Sequence, residues 1–208
     1  MSRRRRKSHK IRNGLIALVI LAFTVSTVAV AFQMNNAKSN SGSDENKVLL
    51  LTSMGSITIE LYDDMPITTG NFRNLVKMGA YDGTLFSRVV PGFVIQGGDV
   101  STKGINVLPI KDELPNKHSN VRGAVAMAKI SQPNSGASQP NSATSQFFID
   151  LNDTNAAELD SSYSVFGRVI AGMNVVDAIS SVPINPVYGA NDGTPITPVT
   201  IISAQFIS

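Results

Sequence analysis

The 208-residue chain has no cysteine, which excludes disulfides, thiolate metal sites, a cysteine nucleophile and a lipid-modified cysteine anchor. The fold must therefore rest on its apolar core alone. Histidine is nearly as scarce, and beyond residue 46 the one histidine is His118. No G-x-S-x-G, P-loop, H-E-x-x-H or G-x-G-x-x-G occurs, and Gly97-Gly98 does not extend into the last of these. A Ser-His-Asp triad built on His118 stays open at this level, although a lone loop histidine is far more often a surface residue. Proton transfer and covalent catalysis are poorly provided for, and neither a metal nor a cofactor is expected.

Acidic residues are missing from the first 43 positions, whereas seven of the eighteen Lys and Arg fall within residues 3–12. The remainder carries eleven basic against fifteen acidic residues. The formal charge of +3 thus hides a mildly acidic body, with no basic groove to follow a polynucleotide, and nucleic-acid binding is not expected.

Long apolar runs are absent except for one of 19 residues at 14–32, GLIALVILAFTVSTVAVAF. As a helix it would span about 28 Å, close to a bilayer's hydrocarbon core of roughly 30 Å. The basic tail at 1–13 would keep its own end in the cytoplasm and send everything after Phe32 outside. The expectation is a single-pass transmembrane signal-anchor. Cleavage after Ala31, within the A-x-A of Ala29-Val30-Ala31, is the competing outcome and would give a secreted protein, but the run is longer than a usual signal core. Residues 33–46, rich in Asn and Ser, read as a flexible linker.

Residues 47–208 are enough for one domain. Strand patterns occur at 47–52, 56–61, 84–90, 93–96, 121–128, 146–151, 165–170 and 199–207, with a hairpin turn at Ser53-Met54-Gly55. Thr68 or Thr69 is a candidate cap for a helix running to about Met78, and Val175, Val176 and Ile179 mark a second helix at 173–180. Eight short strands and two helices favour a closed antiparallel barrel or a sandwich over a parallel sheet. Residues 131–137, SQPNSGA, are repeated as SQPNSAT at 138–144, too polar and proline-rich for strand interior and hence a loop. The prolines Pro183, Pro186, Pro195 and Pro198 mark a second long loop.

Phe86-Ser87-Arg88, Pro91-Gly92-Phe93 and Gln96-Gly97-Gly98-Asp99 resemble the signature of the cyclophilin-type peptidyl-prolyl cis/trans isomerases. Gly123-Ala124-Val125-Ala126-Met127-Ala128, Ser145-Gln146-Phe147-Phe148-Ile149, Leu159-Asp160 and Val165-Phe166-Gly167 follow in the family's order, so the resemblance spans residues 47–208. It implies a mainly β fold, a closed eight-stranded antiparallel barrel capped by two helices, here preceded by the N-terminal transmembrane helix. The site would lie on the outer face of the barrel. Arg88 matches the catalytic arginine and Gln96 the glutamine that orients it. Phe93, Phe148 and Leu159 match the floor and walls of a proline pocket, with Val94 at a position commonly Met. Ala128 and Gln146 match residues of the neighbouring groove, and Tyr163 stands where many members have His.

The implied chemistry suits a chain without acid–base machinery. Isomerisation breaks no bond; the obstacle is amide resonance, a barrier of roughly 18–20 kcal/mol. A site need only bind the twisted amide better than either planar isomer. Twisting makes the prolyl nitrogen basic, and a permanently charged arginine is a suitable donor to it. The expected partners are unfolded or partly folded Pro-containing polypeptides, together with the membrane through the N-terminal helix, and a monomer is expected. Ser87 replaces the family's usual histidine, and Glu158 replaces an aromatic of the cyclosporin site, which argues against tight cyclosporin binding. Ser87, Val94 and Glu158 also motivate the alternative of a Pro-segment-binding chaperone or scaffold with weak or no turnover.

Overall fold

A computed structural model of the chain describes residues 45–132 and 137–208. The basic tail, the apolar run and all but the last two linker residues lie outside them. Those two are tied down: Glu45 pairs with Lys77 at 2.7 Å, and the Asn46 amide donates to Asp63 at 2.9 Å.

Strands β1 (Lys47–Thr52) and β2 (Gly55–Leu61) form the expected hairpin. They are followed by α1 (Pro66–Lys77), β3 (Leu85–Val90), β4 (Val94–Gly97), β5 (Ala124–Met127) and β6 (Phe147–Asp150). A short helical turn α2 (Ala156–Leu159), β7 (Val165–Ala171), α3 (Met173–Ser180), β8 (Ile184–Gly189), β9 (Asp192–Pro195) and β10 (Val199–Ile207) complete the order. The sheet runs β10-β1-β2-β7-β5-β6-β4-β3 and closes where Val199 and Thr200 of β10 pair with Phe86 and Leu85 of β3. The expected eight-stranded antiparallel barrel is present.

Its interior is filled from every strand of the barrel. Phe72 of α1 reaches into an aromatic cluster with ring centroids 5.0 Å from Tyr81, 5.6 Å from Phe147 and 4.9 Å from Phe166. Val176 and Ile179 of α3 bury their side chains in the same core. Each helix thus shields its apolar stripe against the barrel, which is how short helices gain stability they lack alone.

Three local expectations need correction. Neither Thr68 nor Thr69 caps α1; both are buried inside the helix, which starts at Pro66. Proline suits the first turn because it has no N–H to satisfy there. The next amides are met from a distant loop, where the Glu113 carboxylate accepts from Ile67 N at 3.1 Å and Thr68 N at 2.7 Å. The strand expected at 121–128 is confined to Ala124–Met127, because Gly123 turns the chain with φ 87°. The proline-marked loop is a hairpin: β8 and β9 pair antiparallel, and Val89 pairs with Gly193 to attach β9 to β3. Proline is tolerated because β8 is an edge strand. The added turn α2 brings the α-helices to three among the described residues, beside two short 3-10 turns at Val100–Lys103 and Asp153–Asn155.

Candidate active site

Alternation along β4, β5 and β6 sends side chains to two different cores. Ile95, Val125, Met127, Phe147 and Ile149 point into the barrel. Val94, Ala124, Ala126 and Phe148 point outward and form a second buried cluster with Ala128, Leu159 and Val165. This two-sided burial is why β5 and β6 are buried at every position.

Register then lines up one transverse row on the outer face. Arg88 of β3 lies opposite Gln96 of β4, Gln96 opposite Phe148 of β6, Phe148 opposite Ala126 of β5, and Ala126 opposite Val165 of β7. Directly opposed residues on one face have Cβ atoms about 5 Å apart, so a cation, an amide and an aromatic ring become neighbours from strand pairing alone. The small side chains of Ala124, Ala126 and Ala128 leave room above the sheet. Phe93 enters from the β3–β4 turn, and α2 with the residues after it lays Leu159 and Tyr163 over the row. The result is a pocket of about 480 Å³.

Of the residues expected at the site, Arg88, Phe93, Val94, Gln96, Ala128, Phe148, Leu159 and Tyr163 all line this pocket. Gln146 stands behind it: its Oε1 accepts from Gln96 Nε2 at 2.9 Å, and its own Nε2 donates to Asp99 Oδ2 at 3.1 Å. Gln96 Oε1 in turn accepts from Arg88 Nη1 at 3.3 Å. A guanidinium can only donate and a carboxylate only accept. The two ends therefore fix the orientation of both amides between them. Gly98 makes the relay possible: it has φ 79°, and a Cβ there would lie 2.8 Å from the Phe147 ring.

The other edge of Arg88 is clamped. Its Nε donates to Asp192 Oδ1 at 2.8 Å and its Nη2 to Asp192 Oδ2 at 2.7 Å, a bidentate pair that holds the guanidinium charged and raises its pKa further. The Tyr188 ring lies 5.7 Å from the guanidinium carbon and lines the same pocket. On the opposite wall Phe148 meets Tyr163 edge-on at 5.4 Å, and Lys129, paired with Asp112 at 2.8 Å, lies 5.5 Å from the Tyr163 ring. Ser131, the first residue of the duplicated segment, also reaches the pocket and bridges to Ser138, the first residue of the second copy. Residues 133–136 of that segment lie outside the described residues.

A model of the cyclophilin type peptidyl-prolyl cis-trans isomerases matches residues 47–206. The chain belongs to the cyclophilin family. Among curated relatives, a peptidyl-prolyl cis-trans isomerase of Acinetobacter baylyi is 41% identical over 200 residues, covering 93% of this chain and 95% of its own. Peptidyl-prolyl cis-trans isomerase A of Dickeya dadantii is 36% identical over 201 residues, covering 93% and 97%. A crystal structure of a Cryptosporidium parvum cyclophilin superposes with a TM-score of 0.67 at 26% identity, covering 78% of this chain and 98% of that one. The same parasite protein has also been crystallised in the presence of the dipeptide Ala-Pro. The chain is accordingly an enzyme, a peptidyl-prolyl cis-trans isomerase.

His118 takes no part in the pocket of this cyclophilin. It stacks on Tyr62 at 3.7 Å and pairs with Asp64 at 2.9 Å. Sequence reasoning missed Asp192, Tyr188 and Lys129, and quoted Asp99 without giving it a part; the duplicated loop that begins at Ser131 was expected beside the groove, and Ser131 lines the pocket. For Asp192 a signal existed, since Gly189 to Gly193 read GANDG, the composition of a hairpin turn, but the surrounding prolines outweighed it.

Proposed function

We propose that the protein is a membrane-tethered, extracytoplasmic isomerase that acts on X-Pro bonds of exported, still unfolded chains. The observation that carries the chemistry is a fixed guanidinium at the rim of an apolar pocket. Phe93, Val94, Phe148 and Leu159 grip the pyrrolidine ring and exclude water, which strengthens the field of Arg88. Ala128 lies along the groove that takes the residues before proline. Arg88 donates to the prolyl nitrogen as the amide twists and its lone pair localises, while Gln96, held by Gln146 and Asp99, keeps the guanidinium in register. An acceleration of five decades would need about 7 kcal/mol from these interactions together. Uncatalysed isomerisation takes tens of seconds or more, long enough to limit folding after export.

Arg88→Ala should lower kcat/KM in a prolyl-peptide assay by about 10²–10³-fold, the usual cost of one oriented donor, with the fold intact. An unchanged kcat/KM would sink the mechanism. The location rests on the basic tail and the apolar run at 14–32, which lie outside the described residues; among those, no helix is long and apolar enough to cross a membrane. Protease digestion of intact cells should remove the domain if it faces outward, and amino-terminal sequencing should find Met1 or Ser2 rather than Phe32.

A further inference from the structure

We propose that Asp192, delivered by the β8–β9 hairpin, is a positioning residue that fixes the Arg88 guanidinium for catalysis. The proposal rests on Arg88 being the donor to the twisted amide. Arginine has five N–H groups. Asp192 takes one on Nε and one on Nη2, and Gln96 takes one on Nη1. One N–H on each terminal nitrogen is left for substrate. A long arginine side chain loses much rotamer entropy when it is fixed, and the single 3.3 Å contact with a neutral amide is a weak tether for it. A bidentate carboxylate supplies both strength and planar alignment.

Backbone geometry makes the delivery of Asp192 reliable. Gly193 pairs with Val89, so β9 runs beside β3 next to Arg88. A Cβ at Gly193 would lie 2.0 Å from the Asn185 carbonyl oxygen, so only glycine lets β8 and β9 approach this closely. Tyr188, from the same hairpin, then sits against the guanidinium. The carboxylate opposes the arginine's field at the substrate, and positioning outweighs that loss because an unfixed guanidinium delivers its field and its hydrogen bond in few of its conformations.

The experiment is a double-mutant cycle on the full chain, with an NMR reporter. Asp192→Ala should lower kcat/KM about tenfold, the loss falling on kcat with KM little changed, and Asp192→Glu should restore part of it. In the Arg88→Ala background the same substitution should have no further effect. The Arg88 Nε–H resonance, visible in the wild type, should broaden or vanish in Asp192→Ala. A kcat/KM within twofold of wild type overturns the proposal, as does an equal loss in the Arg88→Ala background, which would mean that the hairpin acts through the fold. If Arg88→Ala itself leaves activity intact, the arginine mechanism fails, and the Nε–H resonance still reports whether Asp192 holds the guanidinium.

Discussion

Strands β5 and β6 are buried on both faces, yet the faces are made of different material. The interior face meets a cluster in which Phe72, Tyr81, Phe86, Phe147 and Phe166 are packed ring on ring, each at most 1% exposed. The outer face carries alanines, one phenylalanine and a buried aspartate, and borders an open pocket beside a chain of polar side chains. Filling every gap makes the inner face a source of stability. Leaving a gap, and spending strand positions on Arg88 and Gln96, makes the outer face a site. Adjacent residues of one strand thus serve different ends, and substitution of neighbours should separate them.

Phe147 and Phe148 give the largest contrast. Phe147→Ala empties a site enclosed by Phe72, Tyr81 and Phe86 and should cost about 3–5 kcal/mol, lowering Tm by roughly 10 °C, with kcat/KM per folded molecule reduced little. Phe148→Ala opens a wall that already borders the pocket, where water can enter, so its stability cost should fall at the low end of that range, about 3 kcal/mol. Its kcat/KM should fall more than tenfold. Thermal melts and the peptide assay on both variants check the division, and equal profiles for the two would break it.

Asp150 sharpens the comparison, because it shares the outer face of β6 with Phe148 yet is fully buried. Its Oδ1 accepts from Asn155 at 2.8 Å, while its Oδ2 meets no donor among the described residues. Burial, reinforced by the charge of Asp160 and only partly offset by Asn155, raises its pKa from 3.8 to about 7. With the folded value above the unfolded one, the folded state holds the proton longer. Stability should therefore fall as pH rises from about 4 to about 7 and level off above, by on the order of 4 kcal/mol from this group. Asp150→Asn should remove that slope and be the more stable protein at pH 8. Urea denaturation across pH 4 to 8 measures both, and parallel curves for the two proteins would refute the assignment.

The inner face was legible in the sequence and the outer face only in part. Period-two alternation of Ile57, Ile59 and Leu61 with polar residues located β2, because one side of it is buried and the other is not. In β5 and β6 both sides are buried, periodicity disappears, and Phe147 and Phe148 look alike; only the family's register told pocket from core. The same register gave Arg88 and Gln96. It was silent on Asp192 and Tyr188, since proline in both strands of their hairpin disguised it as loop. Glu113 was illegible for a different reason: it caps a helix that starts 47 residues earlier, and no local pattern records a partner that distant.

Glu113 also offers the mildest test of the comparison, because it is a polar group outside the pocket whose work is directed at the barrel interior. Its carboxylate serves the first free amides of α1, the helix that carries Phe72 into the core. The contact is charge-assisted and favoured by the helix dipole, but part of it faces water. Glu113→Ala should therefore cost about 1 kcal/mol, a drop in Tm of roughly 2–4 °C. Glu113→Gln keeps an acceptor and should lose about half as much. Neither should alter kcat/KM, since Glu113 does not line the pocket. A change in activity larger than twofold would mean that the seating of α1 is felt on the outer face, and that the two faces of the wall are less independent than their packing implies.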